Sequence, residues 1–135
     1  MTATYYQQKL DALEADTLDP SDFSHLDHVG VAVEALRKYG FFEAVSRYAN
    51  ALRVLTDRAG VPEKYNATIT FASMSLIAER WHTGDYDGAE HFVRENGGLF
   101  TKSFLTGQFP DERVDSGLAK EIPLLPTNQF LADPQ

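Results

Sequence analysis

An all-helical domain is the fold class predicted for this 135-residue chain, and three observations predict it. Apolar residues recur three and four positions apart through nearly the whole chain, the spacing that places them on one face of an α-helix. The fourteen residues from Tyr65 to Ala78 carry no charge, as expected of a helix packed on most sides. Cap and stop signals such as Ser24-His25-Leu26-Asp27 and Asn96-Gly97-Gly98 bound these stretches at helical lengths. The architecture expected is an antiparallel up-down bundle of four main helices, then short C-terminal helices and an extended proline-rich segment.

In the first helix Ala3, Tyr6, Leu10 and Leu13 form the stripe, and the turn signal Asp19-Pro20 ends it near Asp16. The second begins at Ser24-His25-Leu26-Asp27, the pattern of a capping box, in which the serine hydroxyl and the aspartate carboxylate satisfy backbone amides of the first turn. Its inward stripe is Leu26, Val29, Val33, Leu36 and Gly40, and it stops near Tyr39-Gly40. Phe41, Val45, Tyr48, Leu52, Leu55 and Ala59 carry the third helix to Gly60. Pro62 suits the first turn of the fourth, predicted over 62–82 and expected to be the most buried because of its uncharged run. Its threonine and serine hydroxyls are expected to bond back to the preceding turn.

A shorter helix over 86–95 stops at Asn96-Gly97-Gly98, residues 99–105 add one or two turns, and a short helix is predicted over 111–120. Prolines then force Ile122-Pro123-Leu124-Leu125-Pro126 toward an extended form lying across the bundle. With no repeat, low-complexity tract or linker, residues 1–126 read as one domain and 127–135 as a flexible tail.

Composition narrows the function classes. A net charge of -8 with only twelve scattered basic residues argues against binding to nucleic acid or an anionic membrane surface. The absence of cysteine excludes disulfides, thiolate nucleophiles and zinc-thiolate sites. No apolar run approaches the roughly 18 residues of a membrane span, and the first residues lack a basic stretch followed by an apolar one, so a cytoplasmic setting is expected. The partners compatible with this composition are a small-molecule ligand and a second copy of the chain, as a homodimer.

The candidate chemistry centres on His25 and His28, three apart and therefore on one side of a helix. That spacing suits a metal, a general base, or two histidines each satisfied by a carbonyl or by water. Asn66 and Thr70 share a face of the fourth helix and, with Tyr65, can complete a polar pocket. In an up-down bundle the second and fourth helices run the same way, so both sets lie in first turns at one end, where unpaired amides favour an anionic or carbonyl-bearing ligand.

A second metal arrangement is Glu79-Arg80-Trp81-His82, whose Glu-x-x-His spacing matches that of ferritin-like carboxylate sites. Asp22 with His25 offers a looser copy, and Glu43 and Glu90 are the carboxylates available to complete it. His91 and Glu95, four apart, read as an exposed pair. There is no phosphate loop, nucleophile elbow, His-Glu-x-x-His or calcium loop.

Phe23-x-His25-x-x-His28-Val29 opening one helix, and Gly60-Val61-Pro62-Glu63-Lys64-Tyr65-Asn66-x-Thr68-x-Thr70 opening another, resemble a family of small, largely uncharacterised bacterial all-helical proteins. Ser116-Gly117-Leu118-Ala119 and Pro123-Leu124-Leu125-Pro126 resemble the family's ending, so the likeness spans residues 23–126. The position of Asn66 is commonly histidine in that pattern, and the resemblance implies a site at His25, His28 and residue 66. Asn66 replaces a strong metal ligand with a weak oxygen donor, so no tightly held zinc or di-iron centre is expected there.

The function expected is therefore binding of, or action on, a small anionic or carbonyl-bearing molecule in a pocket between the second and fourth helices. As an enzyme, His25 or His28 would be general base or metal ligand and Tyr65 proton donor, with Asn66 and Thr70 orienting a substrate oxygen. The alternatives are a noncatalytic protein-interaction or structural module, in which the same residues form a satisfied buried network, and a metal-binding bundle using His25, His28, Glu79 and His82.

Overall fold

The structure, a computed structural model, describes residues 3–127, and these are helical with no strand among them. The helices are α1 (Tyr5–Glu14), α2 (His25–Lys38), α3 (Phe41–Arg58), α4 (Ala67–Thr83), α5 (Ala89–Asn96), α6 (Lys102–Thr106) and α7 (Gly117–Glu121). Short 3-10 turns cover Pro20–Asp22, Pro62–Lys64 and Arg113–Asp115. The expected tail lies outside the described residues, apart from Thr127.

Local chemistry explains the helix starts. The Ser24 hydroxyl accepts from the Asp27 amide at 3.1 Å and the Asp27 carboxylate accepts from the Ser24 amide at 3.0 Å, the reciprocal box that the sequence predicts for α2. Thr4 and Gln7 do the same for α1, a box the apolar stripe alone does not reveal. Asp27 is buried and has a further role, because the Lys9 ammonium of α1 lies 2.9 Å from Asp22 and 3.8 Å from Asp27. Burial works against the charged Lys9, but the Asp22 hydrogen bond and the charges of Asp27 and Asp22 outweigh it and hold its pKa above the usual lysine value. One buried cation thus joins α1, the Pro20–Asp22 turn and the start of α2.

The most buried helix is α2, which corrects the expectation for α4. Val29, Gly30, Val31, Ala32, Val33, Glu34 and Ala35 form an unbroken buried run, and α2 packs against α1, α3, α4 and α5. Leu26, expected on its inward stripe, is instead 45% exposed. Small residues let α2 sit so deep. A Cβ on Gly30 would fall 2.4 Å from the Tyr6 ring, so the glycine is what allows α1 to lie against α2. In α4 the buried positions are Ala67, Thr68, Met74, Ile77 and Ala78, while Ile69, Thr70 and Ser73 are half-buried. Its lack of charge has a second cause, described below.

The fourth helix also starts later than predicted. Pro62 opens a 3-10 turn, Tyr65 is extended, and Asn66 caps α4, its side-chain oxygen accepting from the Ile69 amide at 2.9 Å. Thr68 does not bond back to its own helix. Its hydroxyl accepts from the Leu124 amide at 2.9 Å and shares its hydrogen between the carbonyls of Ala119 at 2.9 Å and Ile122 at 3.0 Å. That group holds α7 and the extended segment after it against α4, and Asn66 adds a 2.7 Å bond to the Val114 carbonyl. Trp81, Tyr86, Phe92, Phe100 and Phe104 form a run of ring contacts that carries the core from α4 through α5 to α6.

Two stability outcomes follow from these contacts. Gly30→Ala gains about 1 kcal/mol of helix propensity but overpacks a held ring at a cost of ~1 to 3 kcal/mol; a lower urea midpoint is expected, and an unchanged or higher one would show that Tyr6 yields freely. Thr68→Val keeps the shape and strands several backbone groups, each costing ~1 to 3 kcal/mol if left unsatisfied. Faster hydrogen exchange at the Leu124 amide and earlier proteolysis within residues 110–127 are expected, and unchanged protection there would contradict the tether.

Candidate functional site

A cleft of about 830 Å³ runs between α2, α3, α4 and the segment from Phe100 to Lys120. This volume is in the range of sites for small organic molecules. All five residues singled out in the sequence, His25, His28, Tyr65, Asn66 and Thr70, line it, so the structure brings the starts of α2 and α4 to one space. Phe23, Val29, Tyr48, Leu52, Ile69 and Phe100 contribute apolar or aromatic wall. Because Ile69, Thr70 and Ser73 line the same space, part of the uncharged α4 surface faces a cleft rather than the core.

His28 is exposed to the cleft, with Phe23 and Tyr48 packed against it. The Phe23 ring lies 4.3 Å from its ring, and the Tyr48 hydroxyl sits 3.5 Å from Nδ1 while donating to the His28 carbonyl at 3.0 Å. Loss of hydration among these neighbours, with repulsion from His25, pushes the His28 pKa down to about 4 against the opposing pull of Asp27. At neutral pH this imidazole is uncharged. Burial pushes the Tyr48 phenol well above its ordinary value, so it too stays neutral.

The remaining predicted residues are partly committed to structure. His25 Nε2 lies 3.2 Å from the Gly97 carbonyl, which can only accept, so this nitrogen donates. Asn66 uses its oxygen on the Ile69 amide and one amide hydrogen on Val114, leaving one lone pair and one hydrogen for a ligand. Tyr65 is half-buried, with the Arg53 guanidinium 5.9 Å from its ring. Burial raises its pKa, while Arg53 and a hydrogen bond with Thr70 act the other way.

Sequence spacing did not reveal the charges on the lining. Lys64, Lys102 and Lys120, three of the five lysines in the chain, line the cleft, against the carboxylates of Glu63 and Asp115. Among the described residues none of the three has an ion-pair partner, whereas Lys9 pairs with Asp22 and Asp27, and Lys38 with Asp11 and Glu14. These lysines lie on three separate segments, so no motif connects them. Tyr48 was visible only as one position of the α3 stripe.

The alternative metal arrangement does not assemble. Glu79 and His82 are exposed near the end of α4 and are not part of the cleft lining, some 20 Å from Asn66 along the axis at about 1.5 Å per residue. Glu43 and Glu90 do not line the cleft either, and among the described residues no three or more of His, Asp and Glu come together where they could hold a metal ion. His91 is bonded to Glu95 and accepts from the Asp87 amide at 2.9 Å, which makes it part of the α5 start. Comparison of the chain with family models, curated proteins and solved structures finds no match.

The lowered His28 pKa carries a sign. Between pH 6.5 and about 4 the unfolded chain binds a proton at this residue that the folded chain does not, so stability contributed by the neutral ring is full above pH 6.5 and is lost as pH falls toward 4. A proton NMR titration is expected to place the His28 midpoint near 4, and His28→Gln should flatten the acid side of the stability profile. A midpoint near 6.5 would contradict the enclosure of the ring.

Proposed function

We infer that this protein binds a small anionic or carbonyl-bearing molecule in the cleft between α2, α3, α4 and the C-terminal segment, with α1 to α4 arranged as an antiparallel up-down bundle around it. The observation that carries the reading is the placement, on one concave lining that also holds Glu63 and Asp115, of three lysines with no ion-pair partner among the described residues, in a chain of net charge -8. Cations that only serve solubility have no reason to converge on a cavity of an acidic protein.

Binding is favoured over proton transfer. A general base or acid works best with a pKa near the operating pH, yet the environment drives His28 down to about 4 and Tyr65 above its usual value. Both are suited to hydrogen bonding as neutral groups. In this reading His25 Nδ1 and His28 accept from or donate to the ligand, Asn66 and Thr70 orient an oxygen, and the lysines supply the charge. The site that the family resemblance implies, around His25, His28 and position 66, is the same cleft.

Amide chemical-shift mapping with a panel of small carboxylates and carbonyl compounds tests this. Shifts are expected to concentrate in residues 23–28, 64–73 and 100–120, and Thr70→Phe, which fills the cleft, should abolish them without loss of helical signal. Shifts gathered on the outer face of α3, or binding unaffected by Thr70→Phe, would overturn the assignment.

A further inference from the structure

The distribution of charge and apolar surface around the cleft identifies a ligand class more narrowly than the binding reading on which this step rests. Lys64 and Lys102 are exposed and Lys120 is half-buried, so the positive groups lie where the cleft meets solvent. Lysine stems can follow apolar walls while their ammonium groups stay hydrated. Deeper, Tyr48 and Phe100 are buried and Leu52 is 7% exposed, while Phe23 is half-buried against His28. No charged side chain belongs to that inner wall. The His28 ring is neutral at pH 7 and the Tyr48 hydroxyl is already donated to a backbone carbonyl.

A compact, strongly hydrated anion would give up its water against such a wall without a fixed charge to replace it. It would also leave most of about 830 Å³ unfilled. We propose that the ligand is an amphipathic organic acid, its carboxylate held by Lys64, Lys102 and Lys120 and its apolar, ring-sized body lying among Phe23, Tyr48, Leu52 and Phe100. Single exposed ion pairs contribute only ~0.2 to 1 kcal/mol, so the three lysines confer selectivity for the acid while the body supplies most of the affinity.

Calorimetric titration of the whole chain with 4-phenylbutyrate, its neutral counterpart 4-phenylbutanol, and inorganic phosphate tests the assignment. One-site binding of the acid is expected, roughly tenfold tighter than the alcohol, a difference of about 1.4 kcal/mol, with no binding of phosphate at the same concentration. The triple variant K64Q, K102Q and K120Q alters surface lysines and should fold normally. It should lower affinity for the acid to that of the alcohol and leave the alcohol unchanged. Phosphate binding as tightly as the acid, or the alcohol binding equally well, would overturn the amphipathic acid while leaving the cleft a binding site. Failure of all three to bind would overturn both readings.

Discussion

At position 30 a side chain and the Tyr6 ring cannot both be accommodated, and the depth of α2 in the molecule follows from that constraint. With Gly30 against Tyr6, the run from Val29 to Ala35 can bury on every side and α2 can reach four other helices. Its first turn is fixed by the Ser24 and Asp27 box and by Lys9, so His25 and His28 are presented at a defined place. A capped, salt-bridged helix end costs little further entropy when a ligand arrives, which is the advantage of a preformed site.

The opposite wall depends on a smaller set of bonds. Thr68 and Asn66, two positions apart at the start of α4, hold the segment that carries Val114, Asp115 and Lys120 into the lining. Thr68 is 1% exposed and its hydroxyl both donates and accepts, which makes it a specific lock rather than general packing. Buried polar groups elsewhere follow the same rule, and among the described residues no buried side-chain nitrogen or oxygen lacks a partner. The cleft is therefore shaped by satisfied polar contacts at its margins and by aromatic packing, through Phe100, at its base.

Electrostatics divides the cleft into two zones. Burial keeps the Tyr48 phenol neutral on the inner wall, and carboxylates pair with Lys9 and Lys38 elsewhere. Among the described residues, the lysines without an ion-pair partner are the three that line the cleft. Within a Debye length of about 8 Å the local field at the cleft edge is set by Lys64, Lys102 and Lys120 together with Glu63 and Asp115.

Much of this was legible in the residues themselves. The capping box at Ser24, the stops at Tyr39 and Gly60 and the short C-terminal helices follow from local pattern, because hydrogen bonds within a turn and a 3.6-residue period need only neighbours in sequence, whereas the shared space of His25, His28, Tyr65, Asn66 and Thr70 was expected from an assumed bundle topology. The uncharged run in α4 pointed to the most buried helix, which is α2 instead. A core and a cleft wall impose the same composition, and only the placement of residues 100–120 against α4 distinguishes them. The break at Tyr65 and Asn66, the tether at Thr68 and the convergence of Lys64, Lys102 and Lys120 were likewise decided by tertiary structure. The tether joins groups some 50 positions apart and the lysines span 56 positions, and no local periodicity records such a pairing.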